Sequence, residues 1–237
     1  MLEKSSISKK KKIKIEALEN YNFSKAKITF FAAGSIIAKK WAPFAAKKTI
    51  VIDNSKYFRM NKDISLVVPE VNASALKIYK KRNIIANPNC STAQLVIVLK
   101  PLHDKFKIKR VVVSTYQAVS GAGKASTEEL FTQTRDFLKN KKIQAKNFTK
   151  QIAFNLIPHI DDFTKDGYTK EEWKMENETK KILDSNIKMT ATCVRVPVRT
   201  SHSESVNIEF KKSFSIQKVK ALLKKAPGAK LLTRNKT

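Results

Sequence analysis

Glycine is scarce in this chain, with five among 237 residues, and no Gly-x-x-Gly-x-x-Gly or Gly-x-Gly-x-x-Gly spacing occurs. A glycine loop wrapping cofactor phosphates is therefore missing from the sequence. Two cysteines and three histidines are scattered without paired ligand spacing, which excludes a disulfide framework and a zinc motif. No apolar run reaches the length of a membrane span, and Met1-Leu2-Glu3-Lys4 has no apolar signal core, so a cytoplasmic protein is expected. Acidic residues are also few, 20 against 48 basic ones, and the net charge is +28. Such a charge invites a nucleic-acid partner. Yet all but seven of the basic residues are lysine, spread along the whole chain, with no helix-turn-helix, zinc-finger or RNA-recognition signature. Non-specific adhesion to polyanions is the physical expectation that remains. The apolar content of 42% is too high for a disordered chain and suffices for one large domain or two small ones.

What the chain does have is a cysteine at a strand-to-helix junction. Asn83-Ile84-Ile85-Ala86 reads as a short buried strand, Asn87-Pro88-Asn89 as a turn, and Leu95, Val96, Val98, Leu99 and Leu102 as one face of a helix. Ser91 with Gln94 has the spacing of a capping box, so the helix is expected to begin at or beside Cys90. Helix-terminal N–H groups favour a thiolate, lowering its pKa and giving a nucleophile near neutral pH. The same position also suits a small buried hydrophobe.

Around this junction the order is strand, helix, strand. Lys27 to Ser35 reads as a buried strand running into a small-residue turn and Thr49 to Asn54 as a second short apolar strand ending in polar residues, with a helix expected between them through Trp41 to Ala46. That order implies a parallel sheet with ligands at the carboxyl ends of its strands, where Gly34, Asn54 and Cys90 stand. Residues 66–72 read as extended. Arg110 to Gln117 is a β-branched strand ending in the flexible turn Ala118 to Gly123. Ser126 and Glu129 are expected to cap the next helix, and residues 139–151 to form a surface loop. Thr169 and Glu172 cap a helix with Glu171, Lys174, Glu178 and Lys181 on one face, a stripe whose spacing alone describes solvent-facing ion pairs. In the strand Lys188 to Val198, Arg195 shares an apolar face with Met189, Ala191 and Cys193 and so requires an anionic partner. His202 follows nearby, suited to acid–base work on an anion. Val206, Ile208 and Phe210 alternate as a further strand, and Ile216, Val219 and Leu222 mark a closing helix. The lysine run 9–12 is expected to be a solvated edge or arm.

Taken together, NPNCST (87–92), VVVSTYQAVSGAG (111–123), IAFNLIPHID (152–161), YTKEEWKM (168–175) and TATCVRVPV with HSESV (190–198, 202–206) resemble the bacterial aspartate-semialdehyde dehydrogenases. The likeness runs in order from about residue 8 to 230. It implies an α/β fold: a partial Rossmann-like, parallel-sheet NADP-binding domain over 1–90, followed by an α+β catalytic and dimerisation domain over 91–237. By that resemblance Cys90 is the nucleophile, His202 the general acid/base and Gln117 the amide that orients the acyl group. Arg195 would hold the substrate α-carboxylate and Glu171 its amino group, while Lys174, Arg59 and Asn89 would surround the phosphate. Gly34, Ser35, Asn54, Ser120 and Gly121 would face NADP. The reaction implied is NADPH-dependent reductive dephosphorylation of aspartyl-β-phosphate to aspartate semialdehyde, on the route to lysine, methionine and threonine, in a homodimer. The sequence departs from the family where the glycine motif of the first βαβ unit and the final C-terminal segment would stand, and Ala32-Ala33-Gly34-Ser35-Ile36 replaces Ser-Ala-Gly-Gly-Ser. A truncated chain with an eroded cofactor half and an open, marginally stable sheet edge is therefore expected. The alternative to an enzyme is a non-catalytic remnant.

Overall fold

A computed structural model describes residues 5–8 and 11–232, with side chains from residue 15 onward. Two antiparallel strands, β1 (Ser5–Ser8) and β2 (Lys11–Lys14), open the chain. The expectation of a solvated lysine arm at 9–12 lies outside the described side chains.

The first layered unit is a parallel sheet formed by β3 (Ile28–Phe31), β4 (Ile50–Asp53), β5 (Ser65–Leu66) and β6 (Ile84–Ala86), in the order β3-β4-β6-β5. Parallel strands need crossovers, and α1 (Ser35–Ala45) supplies the one between β3 and β4. Its small residues Ala38, Ala42 and Ala45 are fully buried, letting the helix lie close on Phe31, Val51 and Ile84. Pro43 lies within α1 and the chain leaves the helix soon after it. Residues 66–72 are not one extended segment: β5 stops at Leu66, and Pro69 begins the short helix α2 (Pro69–Asn72). Proline's fixed φ and missing N–H suit the first turn of a helix.

The helix α3 (Cys90–Phe106) leaves the carboxyl end of β6 and leads to a second sheet, so it joins the two units. In that sheet β7 (Ile108–Gln117) pairs in parallel with β8 (Lys188–Arg195) and antiparallel with β9 (Ser203–Phe210). Val111, Val113, Met189, Ala191 and Cys193 face inward onto Leu95 and Leu99 of α3 and Met175 of α5 (Lys170–Ile182). The period-two pattern of β8 is thus used as a half-buried strand. The remaining helices are α4 (Lys124–Leu138) after the β7 turn and the surface helix α6 (Ile216–Lys225). Residues 139–151 form an irregular surface loop tethered to α4 by Glu129, which accepts bonds from the Lys146 and Asn147 backbone N–H groups. Glu129 is therefore a loop anchor rather than a cap, and α4 starts earlier than expected, at Lys124 behind Gly123. Among the described residues no helix is long and apolar enough to cross a membrane.

Candidate active site

Cys90 is the first residue of α3, as the turn in front of it demands. The cap, however, is Asn89 and not Ser91: its Oδ1 accepts from the N–H groups of Ser91 and Thr92. Gln94, freed from capping, instead reaches Glu204 on β9, its Nε2 donating to Oε1 at 2.7 Å. His202, just before β9, brings Nε2 to 3.2 Å from Cys90 Sγ. The other ring nitrogen, Nδ1, accepts from the Ala118 N–H at 3.0 Å. A neutral imidazole so held carries its proton on Nε2, and toward the sulfur it is a donor.

The expected low pKa of Cys90 is overturned. Burial by surrounding protein pushes the thiol up, and the negative charge of Glu171 pushes the same way; the bonds at Ser91 oppose them and lose. Cys90 nonetheless opens to solvent along one side. His202 is lowered, by burial first and then by the Arg195 guanidinium, against a smaller pull from Glu171. Its ring is accordingly neutral at neutral pH.

Behind the cysteine is a polar cluster on α5. Glu171, 5% exposed, takes Lys174 Nζ at 2.5 Å on one oxygen. Its other oxygen accepts from Asn89 Nδ2 at 2.9 Å and Gln117 Nε2 at 3.0 Å. Burial alone would raise this carboxyl, but Lys174 and the two amides hold it below its ordinary value. Lys174 also meets Asp161 at 3.1 Å. Despite its burial, Asp161 is held down at about 2 by Lys56 and Lys174. Gln117 is fixed further by Thr115 Oγ1, which donates to its Oε1 at 3.0 Å. The α5 stripe is therefore not a solvated face: Glu171 and Glu178 are buried, Arg59 meets Glu178 at 3.0 Å, and Lys181 donates to three backbone carbonyls. Surface and buried ion pairs share one spacing, so the sequence pattern had no means of separating them.

A cleft of about 520 Å³ opens in front of the cysteine and is lined by Asn54, Arg59, Asn89, Cys90, Ser120 and Gly121 with His202 at its side. Arg195, from β8, lies just behind this lining beside Gly121 and opens onto a neighbouring cleft with Ala122, His159 and Asp161, its guanidinium donating to the Ala118 carbonyl at 2.7 Å. Gly121 is needed for closeness: a Cβ there would lie 3.0 Å from His202 Cε1 and 3.3 Å from Arg195 Nη1. Gly121→Ala is expected to push the His202 ring off Cys90 and slow alkylation of that thiol about tenfold, the equivalent of an overpacking cost of roughly 1.4 kcal/mol; timed iodoacetamide labelling checks it.

Glu204 was invisible to the motif reading, although it stands two positions beyond His202 in HSESV. Burial pushes its carboxyl up to about 7, from an ordinary value of 4.5 and against the Gln94 bond. A carboxyl raised in the fold favours folding fully below its unfolded value and loses that contribution as pH rises through 7. Glu204→Gln, which keeps an oxygen for Gln94, is expected to match the parent chain in acid and to exceed it by ~1–3 kcal/mol at pH 8.5. Urea midpoints measured across that pH range test this.

Gly34 and Ser35 stand apart from the cleft lining, at the carboxyl end of β3. Gly34 has φ +87°, a Cβ there would meet nothing within 4 Å, and no side chain caps the first turn of α1 behind it. An uncapped helix start beside open space suits an anionic group. With Asn54, Ser120 and Gly121 facing the cysteine, the residues present fit a dinucleotide.

Two family models match this chain: semialdehyde dehydrogenase, NAD binding domain, over residues 2–79, and semialdehyde dehydrogenase, dimerisation domain, over residues 99–237. The fold and the thiol site thus place it in a class of two-domain, nucleotide-binding dehydrogenases. An aspartate-semialdehyde dehydrogenase from Aquifex aeolicus is 53% identical over 93% of this chain and 66% of its own length. A crystal structure of aspartate semialdehyde dehydrogenase II complexed with ASA, from Vibrio cholerae, superposes with a TM-score of 0.93 at 45% identity, covering 95% of this chain and 68% of that one. A Candida albicans aspartate semialdehyde dehydrogenase solved with NADP gives 0.67 at 27% identity, over 91% of this chain and 60% of that one. The chain belongs to the aspartate-semialdehyde dehydrogenase family, whose members use NADP. It spans about two thirds of the length of the relatives it matches.

Proposed function

We propose that this chain carries out the family reaction, reducing aspartyl-β-phosphate to aspartate semialdehyde through a thioester on Cys90, as a homodimer in the cytoplasm. The observation that carries this reading is one bonded cluster: His202 meets the Cys90 sulfur at the cleft, Asn89 and Gln117 both bond the buried Glu171–Lys174 pair behind it, and Arg195 holds the Ala118 carbonyl beside the His202 ring.

The roles follow from chemistry. The His202 Nε2–H donor holds the Cys90 sulfur as thiolate once its proton has left across the open side of the cleft. Sulfur attacks the acyl carbon, the C–S bond forms, and the bond from that carbon to the bridging oxygen breaks with its electron pair on the departing phosphate. Arg59 and Lys174 receive that charge, and the Gln117 amide orients the acyl group. Arg195 faces the α-carboxylate as a fork-shaped donor, and Glu171 offers an anionic oxygen to the substrate ammonium. NADPH, when bound at the α1 start, Asn54, Ser120 and Gly121, supplies the hydride that reduces the thioester. His202 Nε2–H donates a hydrogen bond to the developing oxyanion, and collapse of that oxyanion to the aldehyde carbonyl breaks the C–S bond with its electron pair on the Cys90 sulfur.

The purified chain, given aspartate semialdehyde, phosphate and NADP⁺, is expected to form NADPH only when all three are present. Absence of that dependence, with Cys90 intact by mass spectrometry, would leave the non-catalytic remnant as the reading.

A further inference from the structure

Among the buried acids of α5, the proposed mechanism leaves Glu178 without a task. It is 1% exposed, and its two oxygens serve different parts of the molecule. Oε1 accepts from Arg59 Nη1 at 3.0 Å, and Oε2 accepts from the backbone N–H of Asn89 at 2.6 Å. One carboxylate therefore grips the arginine of the cleft and the residue directly ahead of the nucleophile. Lys181, one turn further along α5, donates from Nζ to the carbonyls of Arg59 and Asn61 at 2.7 Å and of Ile64 at 3.0 Å, fixing the backbone that bears the arginine. Arg59 Nη2 donates to the Asn54 carbonyl at 3.1 Å, while its buried Nε has no partner among the described residues.

A buried ion pair is a weak source of net stability, because desolvation offsets most of the attraction. Here the pair instead sets a distance: Arg59 and Cys90 follow the carboxyl ends of two different strands, β4 and β6, and Glu178 is bonded to both segments. We propose that Glu178, backed by Lys181, is a positioning residue that holds the Arg59 guanidinium in register with the Asn89–Cys90 backbone, so that an anion on Arg59 lies beside the sulfur. This rests on the reading of Arg59 as a phosphate ligand. Burial raises the Glu178 carboxyl against the pull of Arg59 and of the Asn89 N–H.

The test is protection of Cys90 from iodoacetamide by inorganic phosphate, with labelling located by mass spectrometry. Glu178→Gln keeps one oxygen for the Asn89 N–H but turns an amide toward Arg59. The phosphate concentration giving half-protection is expected to rise about tenfold, the loss of one charge-assisted bond, and by several times more than any change in the unprotected rate. Lys181→Met leaves Glu178 in place and is expected to weaken protection about threefold to tenfold by freeing the Arg59 backbone; it decides the matter should Glu178→Gln lack a cooperative melt. Equal protection of parent and variants, or a fall in unprotected labelling as large as the fall in protection, overturns the positioning role alone. Failure of phosphate to protect the parent chain overturns the phosphate reading of Arg59 and this inference with it.

Discussion

Cys90→Ala is expected to remove phosphate-dependent NADP⁺ reduction altogether, a fall on the order of 10⁴-fold or more, because no other group in the cleft forms the covalent intermediate. Stability should scarcely move: the side chain is small and open to solvent, so a change within about 0.5 kcal/mol is expected in urea unfolding. His202→Ala should lower the rate on the order of 10²- to 10³-fold, the range for losing a placed hydrogen-bond donor to an oxyanion. The other cysteine, Cys193, provides no rescue, since it is buried against Met175 and burial pushes its thiol up to about 12. Turnover by the Cys90→Ala chain within tenfold of the parent would refute the thioester route.

Glu171→Ala is expected to produce the largest loss of stability, about 3 kcal/mol. The substitution strands the buried Lys174 ammonium and removes the acceptor shared by the Asn89 and Gln117 amides. Asp161 remains beside Lys174, which keeps the cost at the lower end for a broken buried pair. A sign follows for pH. Because Glu171 is held below its ordinary 4.5, its contribution is present above that value and is lost as pH falls through the lowered one. The gap between parent and variant should therefore close in acid. Urea unfolding at pH 7.5 and pH 4 measures it, and a gap at pH 7.5 under 1 kcal/mol would deny the ion pair.

Local order was largely legible. The βαβ arrangement, the start of α3 and the alternation of β8 and β9 follow from apolar spacing and turn residues, which act over a few positions. The motifs likewise named residues that the fold gathers from distant segments, such as Cys90 with His202 and Asn89 with Glu171. What the chain concealed depends on desolvation. Position at a helix start argues for an acidic thiol, yet burial and Glu171, a residue far along the chain, reverse the shift. Spacing shows that Glu171, Lys174, Glu178 and Lys181 share a face, but only the packed strands and α3 decide that the face is inward. Ser91 and Gln94 had the right spacing for a cap; Asn89 took that position, and Glu204 gave Gln94 a stronger acceptor.

The placement of α3 between the two sheets makes Cys90 a gauge of their alignment. The cysteine is carried by the end of β6, whereas its histidine is carried by the second sheet ahead of β9. A change in the angle between the units would separate sulfur from imidazole, and it is resisted because α3 gives Val96 to one core and Leu95 and Leu99 to the other. The reactivity of one thiol therefore reads out, chemically and in solution, the angle between two bodies that share no strand pairing.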